Sequence, residues 1–284
     1  MTTPQDDTPR KRSIELEVEV PGTPEEVWEA IATGPGITAW FVPTELEGRE
    51  GGSLSLDIMG KGMEQSGVVT AWDPPRRFVY QERLEPSEEA SAAQLATEWL
   101  VEARSGGTCV VRLVNSLFAT GEDWDDQLED MREGWGAYLH NLRVYMTYFP
   151  GQRCSTILVT GNASGSKADA WSELTGALGV AEAGEGERTA TSTPDAPTLA
   201  GTVERVAESE HHRELMLLLD EPAPGAAFVF AFEYLDQVYA SVHAYLFGPE
   251  APAVAARDEP EWRTWMEGHF PSIEEVSETD ARTS

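Results

Sequence analysis

Residues 32–43 read ATGPGITAWFVP, a stretch in which Gly-Pro-Gly interrupts a helix-like run and two large aromatic residues follow at once. Proline inside a helix removes a backbone donor and glycine lowers helix propensity, so the pattern predicts that the preceding helix stops at Gly34. Trp40 and Phe41 must then either pack into a core or surround a site for another molecule. The stretch itself leaves both alternatives open.

A strand and a helix are predicted before this stretch. Residues 14–20 alternate between apolar and acidic side chains, which is typical of a strand with one wet face. Thr23 is placed as a helix N-cap and Pro24 as the first helical residue. The helix that follows has an apolar stripe over residues 27–31.

The segment after the break predicts an antiparallel sheet closed by a long helix. Short apolar runs bounded by Gly or Pro predict strands at about 42–47, 53–59, 64–72, 76–84, 94–104 and 107–118, with an acidic loop at 85–93. Their short connections favour antiparallel pairing. Apolar residues at spacings of three and four predict a helix over 123–149, namely Trp124, Leu128, Met131, Trp135, Tyr138, Leu139, Leu142, Tyr145, Met146 and Phe149. Because a curved sheet opens a gap at one end of such a helix, we expect an interior that its own side chains do not fill.

The second half of the chain repeats this order in a shortened form. It predicts a strand at 155–160, a turn at 161–165, a helix at 167–178, a strand pair at 201–219 that parallels residues 67–84, and a hairpin formed by 226–233 and 237–247. A much shorter final helix is predicted to begin at Glu261. We therefore predict two domains, 13–150 and 151–273. Disordered tails are predicted at 1–12 and 274–284.

The composition excludes several classes of partner. Fifty acidic against twenty basic residues give a formal charge of -30, a field that repels nucleic acid and anionic lipid surfaces. No stretch approaches the ~20 apolar residues of a membrane span, and the N-terminus lacks the apolar segment of a signal peptide. We expect a soluble, cytoplasmic protein whose two cysteines are reduced and structural.

A set of linked motifs in the first half resembles a known superfamily. The motifs are TPEEVWEAI (23–31), GPGITAWFVP (34–43), EGGSLSLDI (50–58), GVVTAWDPPRRFVYQ (67–81) and EGWGAYLHNLRVYM (133–146). Their order resembles the SRPBCC superfamily, also called helix-grip or START-like, and within it the branch related to the C-terminal domain of heat-shock-chaperone ATPase activators. The resemblance implies an α+β fold with two helix-grip domains, each a curved antiparallel sheet wrapped around a C-terminal helix. The second copy is similar but degenerate.

In such a fold the break after the first helix would bring Trp40 and Phe41 to the mouth of an internal cavity. The other predicted walls are the aromatic residues Trp72, Phe78, Tyr80, Trp99, Trp135 and Tyr138, since a small apolar ligand prefers an aromatic-rich concave space. Core packing is the alternative for each of them. No catalytic residue, cofactor or metal site is predicted.

The remaining polar motifs give weaker signals. If the pocket performs chemistry, the polar candidates are Arg112 and Asn115 on the first hairpin, and Tyr239 and His243 in the second copy. A solvent-exposed strand face also explains these four residues. Residues 157–169 have the wrong glycine spacing for a phosphate-binding loop. The adjacent His211 and His212 must point to opposite faces of a strand, so they cannot bind one metal ion together.

These patterns are compatible with three functions. The leading hypothesis is a non-catalytic protein that binds a small hydrophobic molecule in the first domain. The alternatives are an interaction protein related to chaperone activators, and a two-domain enzyme similar to polyketide aromatases and cyclases.

Overall fold

The computed structural model describes residues 10–58, 64–84, 93–119, 125–208, 212–234 and 237–271. The chain divides into two compact units, the first ending at Gly151 and the second beginning at Gln152. Several predicted features lie outside the described part. They are residues 1–9 of the first predicted tail, the second tail at 274–284, most of the predicted loop at 85–93, residues 123 and 124, and the side chain of Leu128.

The first unit is a seven-stranded antiparallel sheet with three helices. Its elements are β1 (Arg10–Pro21), α1 (Pro24–Ile31), α2 (Gly34–Thr38), β2 (Thr44–Leu46), β3 (Ser53–Asp57), β4 (Glu64–Asp73), β5 (Arg77–Leu84), β6 (Ala93–Arg104), β7 (Thr108–Ala119) and α3 (Asp125–Tyr148). The strands lie in the order β1-β7-β6-β5-β4-β3-β2. Each strand predicted after the break is present, and α3 follows them as expected.

Strand β1 is longer than its alternating pattern indicates. The predicted alternation is confirmed, since Ile14 and Val20 are buried while the glutamates between them face the other side of the sheet. The strand nevertheless begins at Arg10, so residues 10–12 do not belong to a tail as predicted. Strand β7 extends to Ala119, and its backbone pairs with these residues from Arg10 onward.

The break after α1 is built from close backbone contacts. Helix α1 begins with a capping box, in which Glu26 N donates to Thr23 Oγ1 and Thr23 N donates to Glu26 Oε2. Gly34 and Gly36 then start α2 instead of leaving an open loop. A Cβ on Gly36 would lie 1.9 Å from the Glu29 carbonyl oxygen, and a Cβ on Gly34 would lie 2.7 Å from that of Thr44. Glycine is required here because α2 lies directly on the backbones of α1 and β2.

This arrangement fixes Trp40 between the helices. Its indole Nε1–H donates to the Ala30 carbonyl oxygen at 2.9 Å and so caps the C-terminal end of α1. Its own carbonyl oxygen accepts a hydrogen bond of 2.7 Å from Asn141 Nδ2 on α3. The aromatic segment is thus joined to both the first helix and the closing helix.

The second unit repeats the topology with one strand fewer among the described residues. It contains β8 (Cys154–Ala163), α4 (Lys167–Leu178), β9 (Arg188–Ala190), β10 (Ala200–Glu208), β11 (His212–Glu221), β12 (Gly225–Tyr234), β13 (Gln237–Phe247) and α5 (Ala251–His269). Its strand order, β8-β13-β12-β11-β10-β9, again places the first strand beside the last. In each unit the C-terminal helix packs on the first strand, α3 on β1 and α5 on β8. The predicted α+β class and the two helix-grip folds are confirmed.

Two boundaries in the second unit differ from the prediction. Strand β8 continues to Ala163, so Gly161 pairs with Ala240 and does not lie in a turn. Helix α5 begins at Ala251, ten residues before the predicted start, and contains Pro260. Pro260 lacks the N–H that would bond the preceding turn, but the helix continues because Trp262 and Met266 are buried in the core of this unit.

Candidate functional site

The eight predicted wall residues form one continuous aromatic network on the inner side of the first sheet. Phe41 contacts Trp40, Trp135 and Tyr138, with ring centroids 5.8, 4.8 and 4.6 Å apart. Trp99 lies 5.7 Å from Trp40 and 5.5 Å from Trp135. Phe78 connects the remaining members, Trp72 and Tyr80, to Trp99. The sequence therefore located residues that the fold brings together.

These side chains fill most of the interior that they surround. Trp40 and Phe78 are fully buried, whereas Trp72, Trp135 and Tyr138 are half-buried. The cavity left among them measures about 10 Å³ and is lined by Ile31, Ile37, Trp40, Phe41, Leu54, Leu56, Tyr80, Trp99 and Trp135. A volume of this size holds about one water molecule. The expectation of a ligand-sized space is therefore not met in this conformation, because the aromatic rings from the two sides pack against each other.

A group of buried polar side chains lies beside the aromatic network. Tyr80, Thr97 and Asn115 are directly paired on β5, β6 and β7 and so form one row across the inner face of the sheet. Glu82 follows Tyr80 on the same face, one row further along. All four are at most 5% exposed. We call Tyr80, Thr97 and Asn115 the polar row, and Glu82 lies beside it.

The polar row has few partners within the protein. Both side-chain amide atoms of Asn115 and Oε1 of Glu82 are buried without a hydrogen-bond partner, while the Thr97 hydroxyl lies beside that of Tyr80. Met131 and Trp135 of α3 pack nearby against an apolar cluster that contains Ile14, which pairs with Asn115, and Leu95, which pairs with Glu82. The surroundings of the polar row on the helix side are therefore largely apolar. Such unpaired buried groups are uncommon in folded proteins and call for a physical explanation.

Burial also changes the titration of two members of this group. Desolvation raises the pKa of Glu82 to about 7, so this carboxyl is partly protonated near neutral pH. Desolvation and the nearby charge of Glu82 raise the pKa of Tyr80, which keeps its hydroxyl protonated. Gly67, opposite Glu82, provides the space for this side chain, since a Cβ there would lie 3.2 Å from Glu82 Cγ.

The structure separates the two polar candidates of the first hairpin. Asn115 faces the interior, whereas Arg112, three residues earlier on β7, faces outward and forms ion pairs with Glu15 and Glu17 of β1. Glu82 and Thr97 were not predicted from the sequence. The signal for Glu82 was present, because it continues the alternation of Phe78 and Tyr80.

The second unit offers a different environment. His243 is fully buried, and its Nδ1 lies 2.9 Å from the Tyr245 hydroxyl. Tyr239 is half-buried and stacks on Phe232. A surface cleft of about 190 Å³ near Val180 and Arg188 is lined partly by charged side chains. Among the described residues no group of His, Cys, Asp and Glu side chains is arranged to hold a metal ion. His211 lies outside the described residues.

The buried carboxyl gives a testable pH dependence. Glu82 binds its proton more tightly in the folded than in the unfolded chain. Its contribution to the free energy of unfolding of the first unit should therefore increase as the pH falls from 7 towards 4.5. Relative to Glu82→Gln, the wild-type free energy of unfolding should gain up to about 3 kcal/mol over this range, at about 1.4 kcal/mol per pKa unit. Urea unfolding of both proteins at pH 4.5, 6, 7 and 8 measures this difference.

The control for this experiment is Glu98→Gln, on the outer face of β6, where Glu98 pairs with Arg77. Its effect should stay within about 1 kcal/mol at each pH, because surface ion pairs contribute little. A constant difference between wild type and Glu82→Gln from pH 4.5 to 8 would contradict the buried, uncharged state of Glu82.

The fold defines a protein of two helix-grip units with an aromatic interior in the first. Residues 21–147 match the family described as "Activator of Hsp90 ATPase homolog 1-like protein". This range lies in the first unit and covers most of it, so the resemblance indicated by the sequence motifs is confirmed there. A comparison of the sequence with curated proteins gives no significant match.

Several solved structures are similar in fold at low identity. A protein from Mesorhizobium loti is 17% identical with a TM-score of 0.43, over 49% of this chain and 98% of its own. DynU16, encoded in the dynemicin biosynthetic locus, is 15% identical with a TM-score of 0.41, over 90% and 96%. The Aha1 dimer from Colwellia psychrerythraea is 16% identical with a TM-score of 0.39, over 48% and 97%. Likeness at this level gives no information about ligand or activity.

In the part of the chain that the structure describes, none of the helices has the length and apolar character needed to cross a membrane.

Proposed function

We propose that the first unit binds a small, mostly apolar molecule between its sheet and α3, with a polar group of that molecule placed against Asn115. The observation that supports this proposal is the state of Asn115, which is fully buried with neither amide atom hydrogen-bonded. An unpaired buried polar atom costs about 1–3 kcal/mol of stability. A protein that retains such a cost in its interior commonly does so for function, and a ligand would supply the missing partners.

Binding requires the interior to open. Ligand pockets usually measure about 300–1,000 Å³, far more than the present cavity of about 10 Å³. Trp135 covers this cavity from α3 and is only half-buried. Displacement of its ring would expose Phe41 and Trp99, which it contacts. We therefore place the access route at Trp135.

The helix around Trp135 is suited to such a movement. Gly134 and Gly136 flank it, and a Cβ on either would meet no atom within 4 Å. Packing therefore does not require glycine at these positions, yet each glycine lowers helix stability by about 1 kcal/mol relative to alanine. Helix α3 is for this reason easiest to distort where it carries the ring above the cavity.

The variant Asn115→Leu tests the proposal. Leucine has the same branched shape but no polar atoms, so the variant should unfold at higher urea, with a gain of about 1–3 kcal/mol. At the same time it should bind the neutral fluorescent probe N-phenyl-1-naphthylamine about ten-fold more weakly than the wild type, because the amine N–H of the probe loses Asn115 Oδ1 as its acceptor. Probe fluorescence and urea unfolding of the full chain measure the two effects.

Ser116→Ala is the matched control, because Ser116 is the next residue on β7 and faces the opposite side of the sheet. It should leave probe affinity unchanged. Absence of saturable probe binding to the wild-type chain would refute the proposal. Equal probe affinity of wild type and Asn115→Leu would remove the role assigned to Asn115.

A second candidate function is interaction with a chaperone of the Hsp90 type. The observation that favours it is the family match over residues 21–147. The test is the ATPase rate of a purified Hsp90 chaperone with and without this chain. A rate that increases and saturates with chain concentration would support this function, and an unchanged rate would refute it.

The enzyme alternative stays a prediction. If the interior performs proton-transfer chemistry, as an aromatase or cyclase would, Glu82 is the residue to which we assign it. A general acid or base works best when its pKa lies near the working pH, and the pKa of this carboxyl is about 7.

A further inference from the structure

The chemistry of the polar row restricts the ligand further than its apolar walls do. Asn115 offers both donors and an acceptor, because its Nδ2 and its Oδ1 are unpaired. Thr97, the next residue in the row, has a hydroxyl that either donates or accepts. A charged ligand group satisfies only one kind of partner, since an ammonium only donates and a carboxylate only accepts. A hydroxyl group both donates and accepts and therefore matches this set.

The geometry of the site also restricts the shape of the ligand. Tyr80, Thr97 and Asn115 lie on three adjacent strands, which are spaced about 4.8 Å apart, so the row extends about 10 Å across the sheet. The cavity that adjoins Tyr80 is bounded by the flat rings of Trp99 and Trp135. A rigid, flat molecule of two or three fused rings fits between such faces and is long enough to follow the row.

We infer that the ligand of this site is an uncharged, planar hydroxylated aromatic molecule, whose hydroxyl group bonds Asn115 and Thr97 while its rings replace Trp135 against Phe41 and Trp99. This inference rests on the proposed function of the first unit. The Oδ1 acceptor of Asn115 would remain unpaired beside an anion, which disfavours an anionic ligand. The donors of Asn115 would remain unpaired beside a cation, which disfavours that class as well.

Four probes that share the naphthalene ring system test the inference on the full chain at pH 6.5. They are naphthalene, 2-naphthol, 2-naphthoate and 1-naphthylmethylammonium, and their binding is followed by quenching of tryptophan fluorescence. We expect 2-naphthol to bind at least about ten-fold more tightly than naphthalene, because it pairs groups that naphthalene leaves unpaired. Both charged probes should bind more weakly than 2-naphthol.

Variants assign the preference to the polar row. In Asn115→Leu the advantage of 2-naphthol over naphthalene should disappear, while naphthalene binds at least as well as to the wild type. Ser116→Ala should keep the full advantage. If Asn115→Leu fails to fold, Thr97→Val provides the second test, because valine has the shape of threonine without its hydroxyl, and it should reduce the advantage several-fold.

The outcomes separate the two proposals. Equal affinity for naphthalene and 2-naphthol, or tightest binding of either charged probe, would overturn the inference and leave the proposed function standing. If neither the four probes nor N-phenyl-1-naphthylamine bind, the proposed function fails and the inference fails with it. A 2-naphthol preference that survives in both Asn115→Leu and Thr97→Val would show that the hydroxyl binds elsewhere and would also overturn the inference.

Discussion

Replacement of Trp40 by alanine is expected to lower the free energy of unfolding of the first unit by about 4 kcal/mol, within the range of about 3–5 kcal/mol for large buried aromatic residues. The side chain is 0% exposed and packs against the rings of Phe41 and Trp99. The variant also removes the indole N–H that caps the Ala30 carbonyl oxygen at the end of α1. Both losses affect the segment that joins α1 to α3.

Urea unfolding of the full chain measures this effect, with Trp40→Phe as the matched variant. Phenylalanine keeps an aromatic ring and loses the N–H donor, so it should cost about half as much as alanine. Added indole should restore part of the stability of Trp40→Ala, since it fills the space left by the ring and stabilises the folded form that binds it. A loss below about 1 kcal/mol for Trp40→Ala would show that Trp40 is only a wall of a ligand site and not part of the core.

The two alternatives for Trp40 therefore do not exclude each other. Trp40 is a core residue by its burial and its hydrogen bonds, and it also lines the small cavity beside Tyr80. The sequence could place this residue opposite the long helix, because the glycine-rich break and the helix periodicity are local signals. It could not predict how much space remains, because that volume depends on how rings from four separate elements pack together.

The fold itself was largely predictable where local signals agree. The predicted alternation of β1 and the predicted N-cap of α1 at Thr23 are both confirmed. The prediction failed where tertiary packing overrides a local signal. A helix start was predicted at Glu261, yet α5 begins at Ala251 and continues through Pro260 because the helix buries Trp262 in the core of the second unit.

The polar row illustrates the limit for the candidate site. Asn115 was identified as a polar residue among apolar ones, but the neighbouring polar residues Thr97 and Glu82 lie on other strands, and only strand register brings them near it. Register is set by pairing across the sheet, which a single sequence does not specify in advance. Arg112 was considered together with Asn115, although their odd spacing on one strand places them on opposite faces.

The second large effect is expected in acid and concerns His243 of the second unit. Burial lowers the pKa of this imidazole from 6.5 to about 3, so the folded chain keeps it neutral while the unfolded chain protonates it. Stability therefore falls as pH decreases below 6.5, by about 1.4 kcal/mol per pH unit and by about 3 kcal/mol at pH 4.5. The direction of this pH effect is opposite to that for Glu82, whose protonation stabilises the first unit as the pH falls from 7 towards 4.5.

His243→Asn isolates this contribution. Asparagine does not titrate, and its side chain can still bond the Tyr245 hydroxyl, which lies 2.9 Å from His243 Nδ1 in the wild type. The variant should be less stable than the wild type at pH 7, because it loses ring packing, but this difference should shrink by about 3 kcal/mol between pH 7 and pH 4.5. Tyr245→Phe removes the hydrogen bond and keeps the imidazole, so it should retain the acid sensitivity, because burial and not the hydrogen bond is its cause. Parallel stability profiles of wild type and His243→Asn would show that His243 is protonated in the folded chain as readily as in the unfolded one, and that the interior around it admits the charge.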